Sequence, residues 1–215
     1  MAPQPMTSEF RSESDDLLDL AKAGSGESLG QLLQIYANYL KLVVVGQLER
    51  NVRGRVSPSD VVQETFFEAH RDFPQFRGST TPEFLAWLRR ILVNNLCRVV
   101  EQHLLAEKRD VRREISLERL ATALEQSAAR LEAILPDPGT SPSGTFERRE
   151  NEIALADQLA RLPADYREVI VLRHLESLPF EEIGVRMGRT SGASRMLWLR
   201  AVKVLRERLD ERGTT

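Results

Sequence analysis

Residues 60–73 read DVVQETFFEAHRDF, with Phe66 and Phe67 side by side in a run of charged residues. Neighbours on a helix point about 100° apart, so only one of the two rings can face a core squarely. Val62, Phe66, Ala69 and Phe73 fall on one stripe, which makes Phe66 the core residue. Asp60, Glu64, Phe67 and Arg71 fall on the other side, with Gln63 and His70 at its border. An exposed phenylalanine ringed by charges has the make-up of a protein interface, an apolar anchor with a polar rim. The plain alternative is a second helix of the same domain lying over Phe67. The start of this helix is marked too. In Ser57-Pro58-Ser59-Asp60 a serine caps, a proline suits the first turn, and Asp60 completes a capping box.

Working outward, nearly everything reads as helix, and no sustained period-2 alternation bounded by hairpin turns occurs. The spacing predicts helices from Asp15 to Ala23, from about Ser28 to Glu49, and from Thr81 toward Arg112. An amphipathic helix is expected over 116–135. Residues 136–144, PDPGTSPSG, hold three prolines and two glycines in nine residues and read as a linker. Beyond it lie helices at Asn151–Leu162, from Pro163 onward, at Phe180–Met187 with Gly188 ending it, and from Gly192 to Leu209. The expected fold is all-α: a helical domain over 14–113, a linker over 114–147, and a second helical domain over 148–210.

The chain has 215 residues, a net charge of −2, 41% hydrophobic and 29% charged residues. That is a soluble globular composition. No apolar run is long enough to span a membrane, and the N-terminal residues lack the pattern of a secretion signal. One cysteine, Cys97, forbids an intrachain disulfide and suits a reducing cytoplasm. The charge is unevenly spread. Residues 186–212 carry +5 and residues 77–113 carry +4, leaving −11 for the rest. Local basic surface, rather than net charge, is the footprint of a polyanion binder.

Both basic segments have further features. Phe180 to Met187, a short turn with a glycine, and a longer basic helix make a helix-turn-helix pattern. Leu197, Trp198, Ala201, Val204, Leu205 and Leu209 share one side of the last helix, and Arg195, Met196, Leu199, Arg200, Lys203 and Arg206 the other. Arginine can bridge two acceptors on guanine, and apolar groups can touch the thymine methyl. In such motifs the N-terminal part of the second helix reads bases, here from about Thr190 to Arg200. In the other segment, FRGSTTPEF leads into a helix bearing Arg89, Arg90, Asn94, Asn95 and Arg98. Arg77 with Ser79, Thr80 and Thr81 could clamp unstacked bases of single-stranded DNA. Six of the thirteen aromatics lie between Phe66 and Trp87, and for Phe84 and Trp87 a capped turn over an aromatic core is the simpler account.

Catalysis finds little support. His70, His103 and His174 lie far apart and match no metal-ligand spacing, and no phosphate-binding loop or nucleophile elbow occurs. No cofactor or metal is expected, and no enzyme.

These residues resemble a bacterial sigma-70 family sigma factor of the extracytoplasmic-function (ECF) group, over roughly 14–105 and 148–210. DVVQETFFEAHRDFPQFRG is similar to the family's region two, D-L-x-Q-E-x-F followed by F-x-G. WLRRILVNN is similar to its W-L-x-R-I-A-x-N segment. Residues 155–209 resemble region four throughout. The middle segment with TSPSGTFERRE resembles one ECF subgroup. The resemblance implies a cytoplasmic protein that binds core RNA polymerase and promoter DNA, with room for an anti-sigma partner. It implies that Asp60, Gln63, Glu64, Phe67 and Arg71 meet the clamp coiled coil of the polymerase's largest subunit. Arg77, Ser79, Thr80, Thr81, Arg90, Asn94 and Asn95 would open the −10 element and hold a flipped base, Asn94 matching the family asparagine. Arg189, Thr190, Ser191, Arg195, Met196, Leu199, Arg200 and Lys203 would read the −35 element. Three positions depart from the family: Leu197 where a second basic residue is common, Ser194 where valine is usual, and Val93 where arginine is frequent. Two other classes stay open on the residues alone. A helix-turn-helix regulator without polymerase leaves the Asp60/Glu64/Phe67 face unexplained, and a protein-only adaptor leaves the basic last helix unexplained.

Overall fold

Local signals in the chain set most helix ends. The computed structural model describes residues 13–51, 56–106, 117–132, 134 and 153–213. α1 spans Glu13–Lys22, with three acids in its first turn and a lysine in its last, complementing the helix dipole. Ser25 Oγ accepts from Ser28 N at 3.2 Å and opens α2, Gly26–Asn51. α3 spans Pro58–Asp72; Ser57 caps it by accepting from Ser59 N at 3.1 Å. The expected return bond from the Asp60 carboxylate is not made among the described residues, so this cap is one-sided. α4 spans Thr81–Ala106 and has the fuller cap: Glu83 Oε2 accepts from the backbone N–H groups of Ser79 and Thr80 at 2.8 and 3.1 Å. These bonds favour the charged form and hold the Glu83 carboxyl below its ordinary range.

α5 (Leu117–Glu132), α6 (residues 153–160) and α7 (Ala164–Ile170) follow. α7 runs directly into a π-helical turn, Val171–Leu175, that the periodicity did not foresee. α8 (Phe180–Met187) and α9 (Ser191–Gly213) complete the chain. Among the described residues there is no strand, and the protein is all-α.

α1 to α4 enclose Leu18, Leu32, Tyr36, Leu40, Phe84, Leu88, Leu92 and Leu96. The C-terminal helices enclose Leu155, Leu159, Val169, Ile170, Ile183 and Leu205. The two groups join into one continuous apolar cluster. α5, inside the stretch expected to be linker, packs on α2, α4 and the π-turn. Gln47 Nε2 donates to Ala123 O and Ser127 Oγ, and Arg130 Nη1 donates to Leu175 O. Asn38 Nδ2 donates to Asp157 Oδ1 at 2.9 Å, tying α2 to α6 directly. The proline-rich residues 136–144 lie outside the described residues.

The α8–α9 corner shows why the turn needs its glycines. Gly188 ends α8 at φ 63°, ψ 34°, a left-handed conformation that side chains disfavour. A Cβ on buried Gly184 would come within 2.7 Å of the Arg189 carbonyl oxygen. Backbone cannot retreat as a flexible side chain can. On α9 the buried residues are Ser194, Ala201, Val202 and Leu205, with Leu197, Trp198, Val204 and Leu209 partly buried. The buried centre is therefore shifted from the expected stripe toward Ser194, whose hydroxyl has no hydrogen-bond partner.

Two substitutions at this corner have opposite expected signs. Gly184→Ala overpacks the turn and costs about 1–3 kcal/mol in a denaturant titration. Ser194→Ala removes a buried orphan hydroxyl in a helix and gains about 1 kcal/mol. A loss at Ser194→Ala would show that the hydroxyl has a partner.

Candidate protein and nucleic-acid interfaces

α3 presents two unlike faces. Val61, Val62, Thr65 and Ala69 are buried, and Phe66 packs partly buried against the core. Thr65 Oγ1 donates to Val61 O within the helix, which satisfies it inside. Phe67 is 67% exposed, so no described helix covers it. Asp60, Gln63, Glu64 and Arg71 are exposed as well. Arg71 is bridged twice by its neighbour Asp72, at 2.8 and 3.0 Å. That bond holds the Asp72 carboxyl below its ordinary range and raises the Arg71 guanidinium. The polymerase-facing candidates thus form one acidic strip around an uncovered ring.

The loop between α3 and α4 is folded down over rings. Phe76 stacks on Phe73 at 5.9 Å and lies 5.2 Å from Trp87, while Phe84 is fully buried beneath. Lys22 Nζ holds the loop from α1 by donating to Gly78 O at 2.8 Å. Arg77, Arg90 and Asn94 are exposed around it. The other expected −10 residues divide. Ser79 and Thr80 are exposed, but both hydroxyls donate to Glu83, so they cap α4. Thr81 is only 6% exposed and its hydroxyl donates to Asp15. Asn95 is 1% exposed, with Nδ2 donating to Thr65 Oγ1 at 3.3 Å and Oδ1 unpartnered. Thr81 and Asn95 are therefore corrected: side chains this enclosed offer no DNA contact, and Asn95 links α4 to α3. Arg89 and Arg98 are also engaged. Arg89 lies over the Tyr39 ring and donates to its hydroxyl, and Arg98 pairs with Glu68 at 3.0 Å.

On α9, Arg195, Met196, Leu199, Arg200 and Lys203 are all exposed, Met196 by 51% and Leu199 by 48%. The residues at its start also make local bonds. Thr190 Oγ1 accepts from Ala193 N at 3.1 Å and caps the helix. Ser191 Oγ donates to Glu181 at 3.2 Å, and Arg189 pairs with Asp165 at 2.5 Å in an exposed bridge. The apolar-plus-basic outer face can enter a major groove, and its arginines can meet guanine there.

Behind that face lies a group that periodicity did not reveal. Trp198 Nε1 donates to His174 Nε2 at 3.0 Å, the rings stack at 5.9 Å, and Phe180 meets Trp198 edge-on at 5.8 Å. His174 sits on the π-turn. Burial, with a smaller push from Arg173, lowers the His174 pKa below 6.5. The neutral ring is thus the folded form, and the unfolded chain binds the proton more readily. Stability is full above about pH 6.5 and falls as pH drops toward the lowered folded value. Thermal unfolding across pH 8 to 5 should show this decline, and His174→Gln should flatten it. An unchanged slope in the variant would contradict the assignment.

Comparisons with known proteins agree with this geometry. Residues 152–205 match the family model described as Sigma-70, region 4. The chain is 30% identical over 194 residues to the ECF RNA polymerase sigma-E factor of Haemophilus influenzae, covering 90% of this chain and 94% of that protein. It is 34% identical over 168 residues to the RNA polymerase sigma factor CarQ of Myxococcus xanthus, covering 78% and 83%. It is 30% identical over 168 residues to the RNA polymerase sigma-H factor of Pseudomonas aeruginosa, covering 78% and 79%. With an uncovered acidic strip on α3 and a basic helix-turn-helix at the other end, the chain belongs to the ECF group of the sigma-70 family of RNA polymerase sigma factors.

Proposed function

We propose that sigma-factor function is divided here among three faces: α3 docks core RNA polymerase, the α3–α4 corner engages the −10 element, and α9 reads the −35 element. The chain directs promoter recognition and initiation by binding. RNA synthesis belongs to the polymerase, so the chain needs no catalytic group of its own and works in the cytoplasm with that enzyme. The observation that carries this reading is Phe67, 67% exposed beside Asp60, Gln63 and Glu64. A large ring left in water is poorly explained by folding and well explained by a partner. A helix-turn-helix regulator working without polymerase would have no use for it.

At the −10 element the free groups are Arg77, Arg90 and Asn94. At the −35 element they are Arg195, Met196, Leu199, Arg200 and Lys203, while Arg189, Thr190 and Ser191 build the turn that presents them. The two promoter elements lie roughly 25 base pairs apart, or about 85 Å at about 3.4 Å per pair. A compact chain of this length has a diameter of only about 40 Å. The two helical units must therefore separate on the promoter, breaking the Asn38–Asp157 and Arg130–Leu175 hydrogen bonds. An anti-sigma partner would act by preventing either docking or that separation.

Two measurements test this account. Phe67→Ala with Glu64→Ala should weaken core-polymerase binding at least about tenfold, with circular dichroism unchanged because both side chains lie outside the core. Unchanged affinity would remove α3 as the docking face. A fluorescence-transfer pair at exposed Gln34 and Glu182 should show high transfer in the free chain and lose it in the promoter complex. Transfer that persists would contradict the separation.

A further inference from the structure

Arg195 is exposed and has no carboxylate partner among the described residues. It is not free to wander, however. Its Cζ lies 5.9 Å from the centroid of the Phe180 ring, on the first turn of α8. A second guanidinium, Arg173, lies over the same ring at 4.9 Å. Arg173 is tethered, since its Nη1 donates to Leu178 O at 2.9 Å. Arg173 stays at its tether, and Arg195 rests on the ring from the exposed side of α9. The ring itself is braced by Trp198, which His174 holds through its hydrogen bond.

An arginine loses much rotamer freedom when it fixes on a base, and a guanidinium already held over a ring loses less. We propose that Phe180 is a positioning residue for −35 readout: its ring face pre-orients the Arg195 guanidinium toward the major groove. This rests on the assignment of Arg195 to the −35 element. Phe180 itself touches no DNA in this account. It belongs to the first helix of the motif and acts on the second through a cation–π contact. A contact of this kind at a partly exposed site changes an equilibrium by about two- to fivefold.

The test uses holoenzyme reconstituted from the full chain and core polymerase of the source organism. The probe is a promoter fragment that the wild-type holoenzyme enriches from fragmented genomic DNA, together with versions substituted at each −35 base pair. Phe180→Leu keeps apolar bulk but loses the ring face, and Phe180→Tyr keeps the face. Phe180→Leu should reduce open-complex formation about two- to fivefold, and Phe180→Tyr should not. Discrimination should relax at the same base pair as in Arg195→Ala. In the Arg195→Ala background Phe180→Leu should add nothing, because its effect runs through that arginine. Fluorinated phenylalanine at position 180 keeps the shape while weakening the ring's negative face, and it should reproduce the loss even if Phe180→Leu folds poorly. The proposal is overturned if Phe180→Leu costs the same factor with and without Arg195, which is packing alone. It is overturned too if the fluorinated ring is silent. If Arg195→Ala leaves −35 dependence intact, the assignment of Arg195 fails and the proposal falls with it.

Discussion

Rings packed at the corner between α3 and α4 fix what the N-terminal half can present. Phe73, Phe76, Phe84 and Trp87 meet one another with centroids 5.2–6.3 Å apart, and Tyr36 reaches Phe84 from α2. Each large ring removes about 150–250 Å² from water, and edge-on contacts add a geometric preference. Such a cluster tolerates little rotation of the helices that feed it. Once Phe73 and Phe84 are seated, α3 must turn Phe67 outward and α4 must turn Asn94 outward and Asn95 inward. The separation of the exposed Phe67 face of α3 from the exposed Asn94 face of α4 follows from how these rings pack.

Much of this was legible in the sequence. The capping residue Ser57, the Gly188 stop and the two-sided pattern of α3 are local features, and local features survive folding; the cap of α4 lies one residue before the expected opening at Thr81, on Thr80. Phe67 was readable because every other residue on its side is polar. Less was legible where a neighbour decides. Asn94 and Asn95 are chemically identical, and the enclosed one is Asn95, which shares its side of α4 with Phe84, Leu88 and Leu92 and donates to Thr65 on α3. Thr81 looked like an open hydroxyl until Asp15, far away in the chain, claimed it. The buried stripe of α9 is centred on Ser194 and Ala201, and α7 and α8 both pack on this helix. A helical wheel ranks residues by hydrophobicity and so passes over a buried serine. The π-turn at 171–175 is a local change of helix type that apolar spacing does not mark, although Leu172 and Leu175 within it are buried.

Among the described residues, the polar links between the two helical units include Asn38 to Asp157 and Arg130 to the Leu175 carbonyl, beside the apolar cluster that joins them. Single hydrogen bonds each contribute about 0.5–1.5 kcal/mol net, so polar contacts of this kind can be broken by a partner that offers more surface. Core polymerase, docking on Phe67 as we propose, would be such a partner. Two weak DNA readers held at a set spacing by a third body gain effective concentration that neither has alone. That explains how a chain with net charge −2 can serve on DNA: its basic faces are small, and the polymerase supplies the rest.

The most direct measurement is co-elution of the purified full chain with core RNA polymerase from its own organism on a sizing column. The account predicts a stable one-to-one complex that selects promoter fragments, with little duplex binding by the chain alone. Separate elution, together with tight and steeply salt-dependent duplex binding by the free chain, would contradict it.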